Sequence, residues 1–264
     1  TYRGNADLFL VKCSTQGPRL GLRQWGTVNT EHGYSVAIAS AGQVYISGYT
    51  TGELYGPRMG GRDVFLVKLD GASGAELWGR QFGTDEHDQG WGVTLGTDEY
   101  VYLTGQVAGP IHGNVHHGWL DIFLAKYDPM GTRLWTTQVG TAEANESAFG
   151  VAVAGDGAVF LVGTTGGNLD GVQNQGGDDA FIMKFVPGPP AEPTDLLASP
   201  STVCSGGPSG LSATPGYGGD TVEWFTGSCG GTPVPGGASP TVNPIVSTDY
   251  YARSKNSVTG SVGV

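Results

Sequence analysis

The chain is poor in charge: only 14% of its 264 residues are Asp, Glu, Lys or Arg, against roughly 25% in an ordinary soluble domain. Lysine occurs five times and cysteine three times. No apolar run approaches the ~20 residues that span a bilayer, so membrane insertion is not expected. No segment has convincing amphipathic-helix spacing. With so few cations the net charge is −11. Such a surface repels phosphate backbones, which argues against nucleic acid as a partner. A G-x-S-x-G nucleophile motif is missing, and no carboxylate pair stands apart from the repeated positions described below. An enzyme is therefore not expected. The chain opens on Thr1 with no visible signal peptide, so a processed or truncated N-terminus is expected.

Glycine is what the sequence has in excess, at 47 residues. The glycines follow no collagen period, and β-branched and aromatic residues lie between them. Short strands joined by tight turns are the consequence, and the fold class is all-β.

One phrase is written four times. "DLFLVK", "DVFLVK", "DIFLAK" and "DAFIMK" begin at Asp7, Asp63, Asp121 and Asp179. Their intervals are 56, 58 and 58 residues (7 to 63, 63 to 121, 121 to 179). Other columns keep step: Gln24, Gln81 and Gln138; Gly26, Gly83 and Gly140, each followed by Thr; Glu31, Asp88 and Glu146; Tyr34, Trp91 and Phe149; Gly48, Gly105 and Gly163. Each unit reads as four strands, and four strands repeated at about this length point to β-propeller blades. The units run near 5–60, 61–118 and 119–176, with a partial one at 177–187. In "DVFLVKL" both faces are apolar, so the strand has to be covered on both sides. A blade between two blades meets that demand. Three units and one strand fall short of the usual 4–8 blades, so further blades are expected from upstream or from another chain.

Four of the five lysines, Lys12, Lys68, Lys126 and Lys184, share one column. A structural role is expected, with the acidic column Glu31, Asp88 and Glu146 as partner.

These units resemble the SBBP-type bacterial β-propeller repeat. The second unit carries the resemblance in Gly60, Gly61, Asp63, Phe65, Lys68, Leu77, Trp78, Gly83, Asp88, Gly90, Val101, Tyr102, Thr104 and Gly105. The third matches with Leu134, Trp135 and Gly140, whereas the first has Gly21 where the others carry Trp. The resemblance implies an extracellular or cell-surface protein of bacteria, and brings no catalytic residues with it.

A proline-rich linker, 188–194, ends the repeats. Residues 195–264 hold Cys204, Trp224, Cys229 and "TDYYARS" and resemble the Ig-like modules of bacterial secreted proteins, a β-sandwich. Cys204 and Cys229 are expected to form a disulfide in an oxidising compartment, worth roughly 3–3.5 kcal/mol in the chain-entropy picture. Cys13 is expected to be a buried apolar substitute.

The repeated Asp7, Asp63, Asp121 and Asp179 have two readings. They could converge as calcium ligands, or accept hydrogen bonds from turn amides, which is commoner. No cofactor is expected, and Ca²⁺ is the one metal left open. His112, His116 and His117 share a loop, but their spacing implies no fixed zinc geometry. The loops at 50–60, 107–118 and 165–177 occupy one place in every unit, where a repeat array usually binds. Tyr55, His112, His116, Trp119 and Asp170 are their candidate binding residues. The function expected is a non-catalytic, secreted, structural or adhesive scaffold. Its partners would be a protein or glycan at the cell surface, further blades, or copies of itself. A glycan-binding lectin is the alternative, and a propeller glycosidase or lyase the third reading.

Overall fold

The computed structural model describes residues 4–142, 144–186, 192–215, 221–255 and 262. Among the described residues the chain is all-β apart from one 3₁₀ turn at Leu169–Gly171, and it separates into two compact units. The first comprises residues 1–154 and 158–185, the second 155–157 and 186–264. Residues 187–191 of the proline-rich linker lie outside the described residues.

The first unit is a series of four open antiparallel sheets. Strands β1 (Leu8–Cys13) and β2 (Arg19–Trp25) form the first. The second takes β3 (Glu31–Ile38), β4 (Val44–Thr50), β5 (Asp63–Leu69) and β6 (Glu76–Phe82) in chain order. The third repeats that order with β7 (Gln89–Leu95), β8 (Val101–Val107), β9 (Asp121–Tyr127) and β10 (Arg133–Val139). The fourth has β11 (Glu146–Val153), β12 (Val159–Thr165) and β13 (Asp179–Phe185). These sheets do not follow the sequence units. Each full sheet joins the last two strands of one unit to the first two of the next, because the short links 26–30 and 83–88 cross between sheets while the long loops stay within them.

The repeated phrase explains the stacking. Leu8, in β1, packs with Phe65, Val67 and Leu69 of β5 in one buried cluster. Val64 and Leu66, on the other face of β5, pack with Phe123, Ala125 and Tyr127 of β9. Ile122 and Leu124 of β9 then meet Phe181, Met183 and Phe185 of β13. Every interior sheet is apolar on both faces because each has a neighbour on both sides. Val64, Phe65, Leu66, Ile122, Phe123 and Leu124 are completely buried, at roughly 1.5–3 kcal/mol each.

Among its described residues the second unit contains two three-stranded sheets. One is ordered β14 (Thr194–Ser199), β15 (Ser209–Thr214), β18 (Thr241–Val242). The other is ordered β17 (Thr232–Pro233), β16 (Thr221–Thr226), β19 (Tyr250–Lys255). Leu211, Val222, Trp224 and Val242 form the core. The Trp224 indole donates to the Ala238 carbonyl at 2.9 Å, so its polar edge is satisfied on burial. Glu223 of β16 is paired with both Arg253 and Lys255 of β19, each at 2.8 Å. Those two cations hold its carboxyl below the usual range.

The expected disulfide is corrected: Cys204 and Cys229 are free and exposed, and Cys229 Sγ lies 3.8 Å from the Ala252 carbonyl. Cys13 is also free and exposed rather than buried, because among the described residues no sheet covers its face of β1.

Candidate interaction surface

The first unit has two rims, and the repeated polar columns are divided between them. Antiparallel pairing puts Glu31, Thr50 and Asp63 side by side at one end of the second sheet. The long loops 51–62, 108–120 and 166–178 leave from this loop rim. The turns 14–18, 70–75 and 128–132 lie at the other.

At the loop rim Asp63, Asp121 and Asp179 turn back into their own loops, and Asp7 meets the strand beside it. Asp63 accepts from the Met59 amide at 2.9 Å, the Gly60 amide at 3.1 Å and Gln81 Nε2 at 2.8 Å. Asp121 accepts from the His117 amide and Gln138 Nε2, both at 2.8 Å. Asp7 accepts from Gln24 at 2.9 Å, and Asp179 from the Gln175 amide at 2.6 Å. The glutamine column completes the clamp. Gln81 donates to the Gly52 carbonyl at 2.9 Å and accepts from the Leu54 and Tyr55 amides. The aspartates thus shape loops and do not converge on one point. Among the described residues no three His, Cys, Asp or Glu side chains gather as a metal site.

The acidic column holds the crossings between sheets. Glu31 accepts from the Thr27 amide at 2.8 Å and from the hydroxyls of Thr27 and Thr50 at 2.6 and 2.9 Å. Glu146 repeats this with Thr141 and Thr165. Asp88 accepts from Thr84 and from the Ala108 amide at 3.0 Å. All three carboxyls are buried, and burial raises the Asp88 pKa. The glycine column is required here: a Cβ on Gly83 would lie 2.7 Å from Asp88 Oδ2 and 2.8 Å from Asp63 Oδ1.

The expected pairing of the lysine column with this acidic column is therefore corrected. The two stand at opposite rims, separated by a strand of roughly 17 Å. Lys12 instead donates to the Gly71 carbonyl and Lys68 to the Pro129 carbonyl, each at 3.0 Å and each in the next sheet's turn. Lys126 pairs with Asp98 at 3.3 Å, and Lys184 lies over the Phe160 ring. Trp78 and Arg80 add donors to Pro129 and Gly131 at 3.1 and 2.8 Å.

The candidate binding residues fall into two groups. Tyr55 and His112 are wedged toward neighbouring sheets. The Tyr55 hydroxyl accepts from the Trp25 indole at 2.8 Å, and burial pushes its phenol pKa up. The His112 ring contacts Phe82 at 5.0 Å and Thr136 Oγ1 at 3.0 Å. Desolvation, then Arg133, lowers its pKa to about 4. His116 Nε2 stands 3.9 Å from Asp121 Oδ1, beyond hydrogen-bonding distance. Trp119 is 64% exposed, and Asp170 is exposed with a positive φ in the 3₁₀ turn. Met59, Val115 and Val172 are also exposed, so every long loop presents a large apolar side chain. A cleft of about 350 Å³ opens between the first two sheets, lined in part by Arg23, Trp25, Tyr55 and Glu76.

One set of residues was visible as a column but not as a surface. Tyr34, Trp91 and Phe149 are the unpaired bulge residues of β3, β7 and β11. A bulge re-aims its side chain, and here all three rings meet. Tyr34 stacks on Trp91 at 4.2 Å, and Phe149 meets Trp91 edge-on at 5.7 Å. His32 and Tyr49 extend the aromatic stripe, with Arg62 over Tyr49 at 4.8 Å.

Among the described residues no helix is long and apolar enough to cross a membrane. The chain is 28% identical over 179 residues to Regulatory protein FlaEY of Caulobacter vibrioides (strain ATCC 19089 / CIP 103742 / CB 15). That alignment covers 61% of this chain and 18% of the relative, so the chain spans only a small part of that protein. Residues 190–261 match the family described as Ig-like domain, CHU_C associated. Its Trp-centred pair of sheets and this match identify the C-terminal part of the chain as an Ig-like domain.

Proposed function

We propose that the four stacked sheets are an arc of a β-propeller of the SBBP kind, and that the chain is a non-catalytic, secreted bacterial surface scaffold. The propeller loops bind a protein partner, and the Ig-like domain serves as spacer. The observation that carries this reading is the build of the loop rim. Asp, Gln and buried acid columns hold the loops and sheet crossings, while Met59, Val115, Trp119 and Val172 point outward from those loops. Rigid loops with exposed apolar anchors suit binding with little ordering cost. The regulatory role in the relative's name belongs to a much longer protein, and nothing in the rim favours it.

A second reading, glycan binding, is favoured by the cleft beside Trp25 and Tyr55, where Arg23 lies 4.7 Å over the Trp25 ring. The test compares the native chain with a Met59→Ser, Trp119→Ser, Val172→Ser variant on purified cell-surface proteins and on a glycan array. The scaffold reading expects protein binding that the triple variant loses. Protein binding unchanged in that variant contradicts it. Array signals lost on Trp25→Ala establish the glycan reading instead.

A further inference from the structure

The Asp column is clamped alike in three units, and one of them departs in a single contact. The residue four before each aspartate donates its amide to Oδ2: Met59 to Asp63 at 2.9 Å, His117 to Asp121 at 2.8 Å, and Gln175 to Asp179 at 2.6 Å. In the second unit the Gly60 amide also covers Asp63 Oδ1, at 3.1 Å. The third unit lacks that donor. Gly118, the equivalent of Gly60, has a φ of +76°, and Asp121 Oδ1 has no hydrogen-bond partner among the described residues. Asp121 is completely buried. Facing its Oδ1 at 3.9 Å is His116 Nε2, which is buried and equally without a partner. The column of His116 holds Arg58 and Asn174 in the neighbouring units, and both turn to backbone carbonyls. Arg58 Nε donates to Gly60, and Asn174 Nδ2 to Thr165 and Gly177. The facing pair is therefore peculiar to the third unit.

A buried carboxylate oxygen and a buried ring nitrogen, facing each other across a gap too wide for a hydrogen bond, call for a third group between them. We propose that this group is a divalent metal ion of the zinc class, held by His116 Nε2 and Asp121 Oδ1. Zinc bonds imidazole nitrogen and carboxylate oxygen at about 2.0–2.2 Å, so two such bonds bridge the 3.9 Å gap. Calcium and magnesium take oxygen ligands, and the histidine sets the site against them. The His116 side chain is 19% exposed, so the ion has a way in, and water fills the positions that the protein leaves open. His112 takes no part: its ring lies against Phe82, with Nδ1 on Thr136 Oγ1. His117 is exposed and gives Asp121 its amide. The bound ion ties the end of loop 108–120 to Asp121, the first residue of β9. It thereby fixes the loop that presents Val115 and Trp119, whatever the rim binds.

The test is calorimetric titration of the whole chain with zinc chloride. Its exposed thiols are first blocked with iodoacetamide, because thiolates bind zinc themselves. One ion per chain is expected. His116→Gln should lose it, while His117→Gln and His112→Gln keep it, and calcium chloride should give no binding. His116 is partly exposed, so circular dichroism should show its variant natively folded. Amide hydrogen exchange supplies a second readout on the native chain: zinc should slow residues 113–119 and leave the loop 51–62 unchanged. A native chain that binds no zinc overturns the proposal and leaves water between the two groups. So does zinc binding that survives His116→Gln, or that is lost in His117→Gln. Zinc that binds without slowing residues 113–119 overturns it too, as does a calcium response, which would mark a site of oxygens alone. The rim variant Met59→Ser, Trp119→Ser, Val172→Ser should still bind zinc. Zinc binding lost with rim binding intact, or the converse, separates failure of this inference from failure of the rim reading.

Discussion

The Lys68 ammonium and the Trp78 indole converge on one carbonyl, Pro129, at 3.0 and 3.1 Å, from a neighbouring sheet. Lys68 also lies 5.2 Å over the Tyr45 ring. A lysine that looks from the sequence like half of an ion pair is thus a staple between successive sheets. Lys68→Met and Trp78→Phe each leave Pro129 with one donor and should cost about 0.5–1.5 kcal/mol. Together they leave the carbonyl with neither, so the double variant should lose more than the two single losses combined. Urea unfolding of the three variants checks this, and strict additivity would show that the two donors act independently.

Glu31 tests the sheet crossings. Glu31→Ala strands the Thr27 amide and two hydroxyls in a buried site, and should destabilise by about 3 kcal/mol or more. Lys12→Ala, at the exposed end of the same rank of sheets, should cost under about 1 kcal/mol. Equal losses would remove the distinction drawn between the two rims.

Gly83 and Gly21 form a contrasting pair. A Cβ on Gly83 presses on both Asp63 and Asp88, whereas one on Gly21 meets nothing within 4 Å. Gly83→Ala is expected to cost about 1–3 kcal/mol, and Gly21→Ala to stay within about 0.5 kcal/mol of the native chain. Thermal melts decide between them.

His112 sets an acid limit. Its folded pKa of about 4 lies below the ordinary 6.5, so between those values the unfolded chain binds more protons. Stability is fully present above pH 6.5 and declines as pH falls toward 4. The ring has an exposed edge, which keeps the loss modest. Denaturation midpoints from pH 7 to pH 4 should fall less steeply in His112→Gln than in the native chain. Parallel curves would contradict the assignment.

The thiols are simpler to check. Cys13, Cys204 and Cys229 are free and exposed, so all three should react with a thiol reagent under non-reducing conditions. Reductant should leave the melting temperature unchanged, and one reactive thiol would restore the Cys204–Cys229 bridge.

The strands themselves were legible because short runs of β-branched and aromatic residues and the glycine and aspartate turns that bound them are local signals. The sheet grouping was not. A repeat gives its length but not its phase, and the eye cuts at the longest loop. Here the long loop before Asp63 stays inside a sheet, and the short link after Gln81 crosses to the next. The Asp, Gln and acid columns were visible, but their division between rims depends on antiparallel pairing, which places Asp63 beside Glu31 and far from Lys68. The aromatic contact of Tyr34, Trp91 and Phe149 depends on three bulges, which the sequence marks only by glycines near each ring.

Face-to-face stacking of sheets with two apolar faces is the central claim, and amide hydrogen exchange tests it most directly. The account predicts slowest exchange at Val64–Val67 and Ile122–Ala125, covered on both faces, with faster exchange at Leu8–Val11 and Ala180–Met183 at low protein concentration. Uniform protection across all four sheets at every concentration would contradict the claim.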